Sequence, residues 1–257
     1  MCELFGISAK KDTRCDELLK EFFSHGTIHP HGWGIAYCRD KKIEIKKEAV
    51  ASHKSNTLKT RLQSPVYSDL LLAHIRLATK GNIEYNNTHP FIRGDANKTS
   101  WVLIHNGTIF ESDVLTVYTR RQIGTTDSER ILYHLIEKMN NKIKQKGAEL
   151  TEIERSQVVE ELMREISHEN KTNLIISDGE LLYAHMNFRD SLYQKEKDGA
   201  IVLSTKPLDD DDWRALELNT LLVYKHGELI YTGEKHEFEY IDDPEKMKYL
   251  YLDFAAM

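Results

Sequence analysis

The chain opens with Met1-Cys2-Glu3-Leu4-Phe5-Gly6-Ile7-Ser8, and the fold prediction starts from this stretch. The apolar run behind Cys2 is short, which is typical of a β-strand. Removal of Met1 would leave a thiol and a free α-amino group on one residue. A thiol is a strong nucleophile only as thiolate, and an α-amine, with a pKa of about 7.7–8.0, can accept its proton. Cys2 is therefore a candidate nucleophile, the alternative being a buried residue without a chemical role.

The composition is that of an ordinary globular protein. Of the 257 residues, 40% are hydrophobic and 30% are charged, with a formal net charge of −6. Lys and Arg are spread along the chain, so we expect no nucleic-acid partner. The three cysteines form no CxxC pair and no secretory signal opens the chain, which predicts a cytoplasmic protein. Since no apolar run approaches about 18 residues, we expect no membrane span.

The order of apolar patterns predicts one α+β domain that takes in all 257 residues. Residues 70–79 and 101–106 are continuous apolar runs ending in polar residues, which is typical of buried strands that deliver side chains to a site. Residues from 127 to about 168 have helical spacing, with acidic residues in the first turn. Further strands are predicted between residues 174 and 224. Strands, two helices and strands again favour helices packed on sheets.

Two residues at the end of the second run could stabilise an oxyanion. Asn106 offers a side-chain amide, and Gly107 offers an unobstructed backbone N–H. Such a donor typically lowers a reaction barrier by about 3–4 kcal/mol. Asn-Gly is also a favoured hairpin turn, so the turn remains the alternative, and the two are compatible.

Two charged residues could bind an amino acid. Arg76 lies within an apolar run, where an unpaired guanidinium would be costly, so we expect an anionic partner, either a ligand carboxylate or a structural Asp or Glu. Asp127 stands at the head of a predicted helix, where it is either a simple N-cap or the partner of a ligand ammonium. Together they would grip both charges of an amino acid.

The histidines predict no metal site. His29, His31, His74 and His105 stand in the first half of the chain, but no HExxH or Cys/His finger spacing is present. We expect His29 and His31 to be loop residues, and His74 and His105 to be hydrogen-bonded core residues. The sequence therefore predicts neither a metal nor another cofactor.

Six motifs in order resemble the class II glutamine amidotransferases, and in particular their stand-alone YafJ-like branch. They are the opening residues 1–8, His31-Gly32-Trp33-Gly34-Ile35, Ala73-His74-Ile75-Arg76, Asn87-Thr88-His89-Pro90-Phe91, His105-Asn106-Gly107 and Thr126-Asp127-Ser128-Glu129. A weaker match continues through residues 203–208 and Trp213, so the resemblance covers nearly the whole chain.

The resemblance implies an N-terminal-nucleophile hydrolase, with the four-layer αββα fold of two stacked antiparallel sheets between helical layers. It also implies a role for each matching residue. Cys2 would be the nucleophile and, through its amine, the base; Asn106 and Gly107 the oxyanion hole; Arg76 the α-carboxylate clamp; Asp127 the α-ammonium partner; and Thr79 and His89 residues of the pocket wall.

The implied reaction is hydrolysis of the glutamine side-chain amide through a γ-glutamyl thioester, by a glutaminase or an amidotransferase subunit. One alternative is hydrolysis of another γ-glutamyl amide or peptide, and another is a non-catalytic module if Met1 is retained. Family synthases append a domain that uses the ammonia, and we expect any such acceptor to be a separate protein. The family's usual Arg-Gly-x-Asp turn is replaced by His31-Gly32-Trp33-Gly34, so substrate contacts from this turn are not carried over.

Overall fold

The computed structural model describes residues 2–39 and 42–243, in which two antiparallel sheets are packed between helices. The strands are β1 (Glu3–Arg14), β2 (Trp33–Arg39), β3 (Lys42–Glu48), β4 (Tyr67–Ile75), β5 (Phe91–Gly94), β6 (Ser100–Thr108), β7 (Lys171–Ser177), β8 (Leu182–His185), β9 (Tyr193–Lys197), β10 (Ala200–Ser204), β11 (Arg214–Ala215), β12 (Leu222–Lys225) and β13 (Glu228–Thr232). The helices are α1 (Asp16–Ser24), α2 (Asn56–Leu62), α3 (Asp113–Thr116), α4 (Asp127–Lys146) and α5 (Glu152–Ser167).

The strand order places the beginning of the chain in the middle of a sheet. The first sheet runs β11-β9-β10-β1-β4-β2-β3, and the second runs β13-β12-β8-β7-β6-β5. β1 is antiparallel to both of its neighbours, β10 and β4. Because Glu3 pairs with Ile75, the start of β1 lies beside the end of β4. The first residues of the chain therefore lie next to the loop that follows β4.

Three apolar clusters hold the layers together. The cluster between the sheets includes Leu4, Ile104 and Leu203. Phe5 points to the opposite face, as successive strand residues do, and there α1 and α2 cover the first sheet. The third cluster, which includes Leu132, lies between the second sheet and helices α4 and α5. The order helix, sheet, sheet, helix confirms the predicted four-layer αββα fold.

The start of α4 differs from the simpler prediction. The hydroxyl of Thr126 accepts a hydrogen bond from the backbone N–H of Glu129, and Thr126 is therefore the N-cap. Asp127 is the first helical residue instead. Its interpretation as a simple N-cap is wrong, because Thr126 already occupies that position.

Asn106-Gly107 is not a hairpin turn, because both residues lie inside β6. Asn106 pairs with Asn173 of β7, and Gly107 pairs with Thr172. A Cβ atom added at Gly107 would lie 1.9 Å from the carbonyl oxygen of Lys171. The glycine is thus required by the close approach of the two strands rather than by a turn.

Arg76 lies just beyond a strand. β4 ends at Ile75, so Arg76 follows the strand rather than lying within it.

No helix among residues 2–39 and 42–243 is long and apolar enough to cross a membrane. That all 257 residues form one domain stays a prediction; Met1 and residues 244–257 lie outside the described residues.

Candidate active site

The central strands bring Cys2 and Asn106 to one cavity. Cys2 directly precedes β1 of the first sheet, and Asn106 lies near the end of β6 in the second sheet. The cavity is open to solvent and has a volume of about 340 Å³. Its lining residues are Cys2, Glu3, His29, Asn106, Phe188, Asp190, Ser191, Tyr193, Thr205, Lys206 and Pro207. It is therefore bounded by both sheets.

Cys2 is half-buried, and its surroundings favour the neutral thiol. Its Sγ donates a hydrogen bond to the carbonyl oxygen of Leu77 at 3.5 Å. Burial raises the pKa of the Cys2 thiol, while Arg76 acts to lower it and Asp127 acts to raise it. Because burial is the largest of these causes, the neutral thiol is favoured. A nucleophilic Cys2 would need a base to remove its proton.

The Asn106 side chain is buried but incompletely hydrogen-bonded. It is 1% exposed, and its Oδ1 has no hydrogen-bond partner among the described residues. An unpaired buried polar group costs about 1–3 kcal/mol, so such groups often mark functional sites. The backbone beside it is fixed by Gly107, whose Cβ position lies 2.4 Å from His105 Nε2.

Arg76 donates hydrogen bonds to the backbone of a loop, not to an acidic side chain. Its Nη1 donates to the carbonyl of Asn82 at 2.9 Å, and its Nη2 donates to the carbonyls of Lys80 and Gly81 at 2.9 and 3.0 Å. Arg76 is 2% exposed. Its hydrogen-bond partners among the described residues are thus carbonyl dipoles, not the Asp or Glu that the sequence left as one alternative. A guanidinium has five N–H donors, so two remain for a ligand.

Asp127 joins β6 to α4. Its Oδ2 accepts a hydrogen bond from the backbone N–H of Ile109 at 2.8 Å, and its Oδ1 accepts one from Ser128 N–H at 2.9 Å. The residue is 5% exposed. Oδ1 also accepts a hydrogen bond from the Ser128 hydroxyl at 3.4 Å, so the lone pair left for an ammonium is on Oδ2.

His89 is buried and is not among the residues that line the cavity. Its ring stacks on His74 with centroids 4.1 Å apart and meets Phe91 edge-on at 4.6 Å. Neither ring nitrogen has a hydrogen-bond partner among the described residues. Burial lowers the pKa of His89 well below its usual value, so the ring is neutral. Thr79 is half-buried and also lies outside the cavity lining.

His74 and His105 are both hydrogen-bonded in the core, as predicted. His74 Nε2 lies 3.2 Å from the carbonyl oxygen of His105, and His105 Nδ1 lies 3.0 Å from Ser128 Oγ. His29 lies in a loop, as predicted, but it is buried there, with Nε2 3.7 Å from Glu3 Oε1.

A buried carboxylate beside Cys2 was missed by the sequence interpretation. Glu3 is 1% exposed, with His25 Nδ1 2.7 Å from one oxygen and Lys206 Nζ 2.9 Å from the other. Burial acts to raise the pKa of Glu3, but the bonds from Lys206 and His25 outweigh it and hold the pKa below its usual value. The signals were the position of Glu3 next to Cys2 and the weak match at residues 203–208, which include Lys206.

No group of three or more His, Cys, Asp or Glu side chains within the described ranges is arranged to hold a metal ion. Cys15 and Cys38 are buried, and burial raises the pKa of each thiol to about 12. Both are poor nucleophiles in the folded chain.

Comparison with known proteins identifies the family. The sequence model of "Glutamine amidotransferases class-II" matches residues 1–194. The chain belongs to this family, and it is an enzyme of the class that hydrolyses the side-chain amide of glutamine.

Relatives and solved structures agree with this assignment. The chain is 26% identical over 270 residues to a protein of Haemophilus influenzae named "Putative glutamine amidotransferase", covering 95% of this chain and 90% of the relative. It is 29% identical over 188 residues to "Putative glutamine amidotransferase YafJ" of Escherichia coli, covering 72% of each. The fold is similar to glutamine phosphoribosylpyrophosphate amidotransferase of Bacillus subtilis, with a TM-score of 0.67, 17% identity, and coverage of 91% of this chain and 49% of that one.

Proposed function

We propose that Cys2, freed by removal of Met1, is the nucleophile of this amidotransferase and that its own α-amine is the base. The observation that carries the proposal is the presence of Cys2 and the buried amide of Asn106 in one cavity. The pKa of the Cys2 thiol is raised by burial, which supports the need for a base next to the sulfur. An α-amine on the same residue meets that need.

The reaction begins when the α-amine takes the thiol proton and Sγ attacks the δ-carbonyl carbon of glutamine. Asn106 and the N–H of Gly107 stabilise the oxyanion that forms. The C–N bond then breaks, ammonia leaves with the transferred proton, and a γ-glutamyl thioester remains. Water hydrolyses the thioester to glutamate and restores the thiol.

The substrate's α-carboxylate is placed at Arg76 and its α-ammonium at Asp127. Both residues are buried, and both act on the pKa of Cys2, which supports their closeness to the reacting sulfur. Arg76 retains unused donors, and Asp127 Oδ2 retains an unused lone pair. Thr79 and His89 support this pocket from outside the cavity lining.

A second candidate function is hydrolysis of another γ-glutamyl amide or peptide. The observation that favours it is the volume of the cavity beside Cys2, about 340 Å³. A molecule of water, which is similar in size to ammonia, takes about 30 Å³. If the substrate is glutamine itself, a separate acceptor protein would take up the ammonia.

The test combines intact mass and activity. Loss of Met1 should appear as a mass decrease of one methionine, and the processed protein should release glutamate from glutamine or from γ-glutamyl amides. Cys2→Ala should abolish both turnover and labelling by a glutamine-like electrophile, whereas Cys15→Ala and Cys38→Ala should retain them. Full activity in protein that keeps Met1 would exclude the α-amine as the base.

A further inference from the structure

The cavity extends from Cys2 away from Arg76. In the first sheet β4, which leads to Arg76, lies on one side of β1, whereas β10 and β9 lie on the other. Lys206 and Pro207 follow β10, and Tyr193 begins β9, two strands from β1. With strands about 4.8 Å apart, β9 lies about 10 Å from β1. Arg76 and Asp127 are not among the residues that line this cavity.

These positions indicate on which side of Cys2 each half of the substrate lies. If the α-carboxylate and α-ammonium of the γ-glutamyl group lie toward Arg76 and Asp127, the bond broken at Cys2 points its nitrogen toward the opposite side. That side is the 340 Å³ cavity, which ammonia would leave largely empty. A group of amino-acid size would fill it far better.

The cavity presents a cation that is paired with a buried carboxylate. Lys206 Nζ lies 2.9 Å from Glu3 Oε1, and Glu3 is buried behind it at 1% exposure, whereas the Lys206 side chain is 53% exposed. A lysine ammonium has three donors, so its ion pair with Glu3 leaves donors for a ligand. Aromatic side chains of Phe188 and Tyr193 line the same cavity.

We propose that this cavity binds the leaving amine of a γ-glutamyl dipeptide, and that Lys206, positioned by Glu3, binds the free carboxylate of its amino-acid part. The inference rests on the proposed function, since it places the γ-glutamyl thioester on Cys2. The rings of Phe188 and Tyr193 favour an apolar or aromatic side chain on the departing amino acid. Lys206 is then a specificity residue that acts on the leaving group.

The reaction balances without a further reactant. Sγ forms a bond to the δ-carbon as the C–N bond breaks, and the proton taken from the thiol passes to the departing nitrogen, which leaves as a free amino acid. Water then adds to the thioester, giving glutamate and the thiol. The only co-substrate is water.

The experiment compares γ-glutamylphenylalanine with its C-terminal carboxamide, which lacks the negative charge but keeps size and shape. Wild-type kcat/KM for the carboxylate should exceed that for the carboxamide by about tenfold or more, as expected for a charge-assisted contact. Lys206→Met should reduce this ratio to nearly one. Calorimetric binding of both compounds to Cys2→Ala protein should show the same preference without turnover.

Lys197→Met is the matched control. Lys197 is 57% exposed and bonded to one carboxylate, that of Asp211 at 2.8 Å, but it stands at the other end of β9, about 13 Å from Tyr193. This variant should keep the wild-type ratio. Equal wild-type kcat/KM for the two compounds, or a ratio unchanged by Lys206→Met, would overturn the inference. The proposed function would still stand if glutamate release from glutamine depended on Cys2. If Cys2→Ala kept its activity, or if no γ-glutamyl compound were hydrolysed, both would fall.

Discussion

Asn87 and Thr125 are joined by two hydrogen bonds: Asn87 Nδ2 donates to Thr125 Oγ1 at 2.9 Å, and Thr125 N–H donates to Asn87 Oδ1 at 2.7 Å. Asn87 Nδ2 also lies 3.0 Å from the carbonyl oxygen of Asn82, which is one of the carbonyls bound by Arg76. This buried amide therefore ties the loop held by Arg76 to the residues just ahead of Asp127.

Replacement of Asn87 by Ala should loosen both proposed substrate contacts at once. We expect a loss of about 1–3 kcal/mol in the free energy of unfolding, because buried backbone groups lose their partner. We also expect a higher KM for glutamine, with a smaller effect on kcat. Urea unfolding and steady-state kinetics measure the two effects.

Asn140→Ala is a suitable comparison for that variant. Asn140 Oδ1 accepts from Ala96 N–H at 2.7 Å, in the middle of α4 and away from Asp127. Its loss should lower stability slightly and leave KM unchanged. An Asn87→Ala protein with wild-type KM would show that the two loops do not need this tie for substrate binding.

Arg76→Lys tests whether the guanidinium acts on the loop, on the substrate or on both. A lysine keeps the charge but loses the planar fork that reaches the carbonyls of residues 80–82. We expect KM for glutamine to rise by about tenfold or more, and amide hydrogen exchange in residues 80–87 to become faster. Faster exchange without a change in KM would leave Arg76 as a loop anchor alone.

Gly107→Ala should damage both the fold and the chemistry. The new methyl would lie 1.9 Å from the carbonyl of Lys171, so β6 and β7 must separate where Asn106 is held. We expect a lower melting temperature and a kcat reduced by about a hundredfold, the typical effect of losing an oxyanion donor. Gly94→Ala on β5 is the control, because the nearest atom to its added methyl is 3.9 Å away. Similar behaviour of the two variants would argue against a special role for Gly107.

Buried histidines predict a loss of stability in acid. Burial lowers the pKa of His74 to about 3 and that of His89 well below its usual value. The unfolded chain, with histidine pKa values of about 6.5, therefore binds more protons below that pH. The contribution of each such histidine to the free energy of unfolding is fully present above pH 6.5. It falls as the pH drops below 6.5, by about 1.4 kcal/mol per pH unit.

His89→Phe should weaken this pH dependence. Phenylalanine keeps the stacking on His74 and removes two buried nitrogens that lack partners among the described residues, so stability at pH 7.5 should be unchanged or higher. Between pH 7.5 and 5 the variant should lose about 2 kcal/mol less than wild type, as measured by urea unfolding. The same change at the exposed His53 should leave the pH dependence as it is. A His89→Phe slope equal to that of wild type would contradict this account.

The fold was largely predictable because the strands have continuous apolar runs and the motifs stand in family order. The errors came where local patterns have two meanings. Asn106-Gly107 has the composition of a turn, but pairing with β7 keeps both residues in a strand. Asp127 has the side chain of an N-cap, but the preceding Thr126 takes that position.

The candidate site was only partly predictable, because its geometry depends on partners that are distant in sequence. Glu3 is contacted by His25 and Lys206, and Lys206 follows β10, a strand that is a neighbour of β1 only in the folded sheet. Sequence patterns likewise cannot predict which loop carbonyls accept hydrogen bonds from Arg76, since every residue has a carbonyl. Backbone partners can be assigned only once the loop is folded.

Cys2 precedes a strand of the first sheet, whereas Asn106 belongs to the second, and the side chains of the inter-sheet cluster lie between these layers. At Gly6 the two sheets approach so closely that an added Cβ would lie 3.3 Å from Ile175 Cδ1. The thickness of this layer therefore sets the gap between the proposed nucleophile and the proposed oxyanion donor. Core residues that do not contact substrate would act in this way as the spacer on which the distance between the two groups depends.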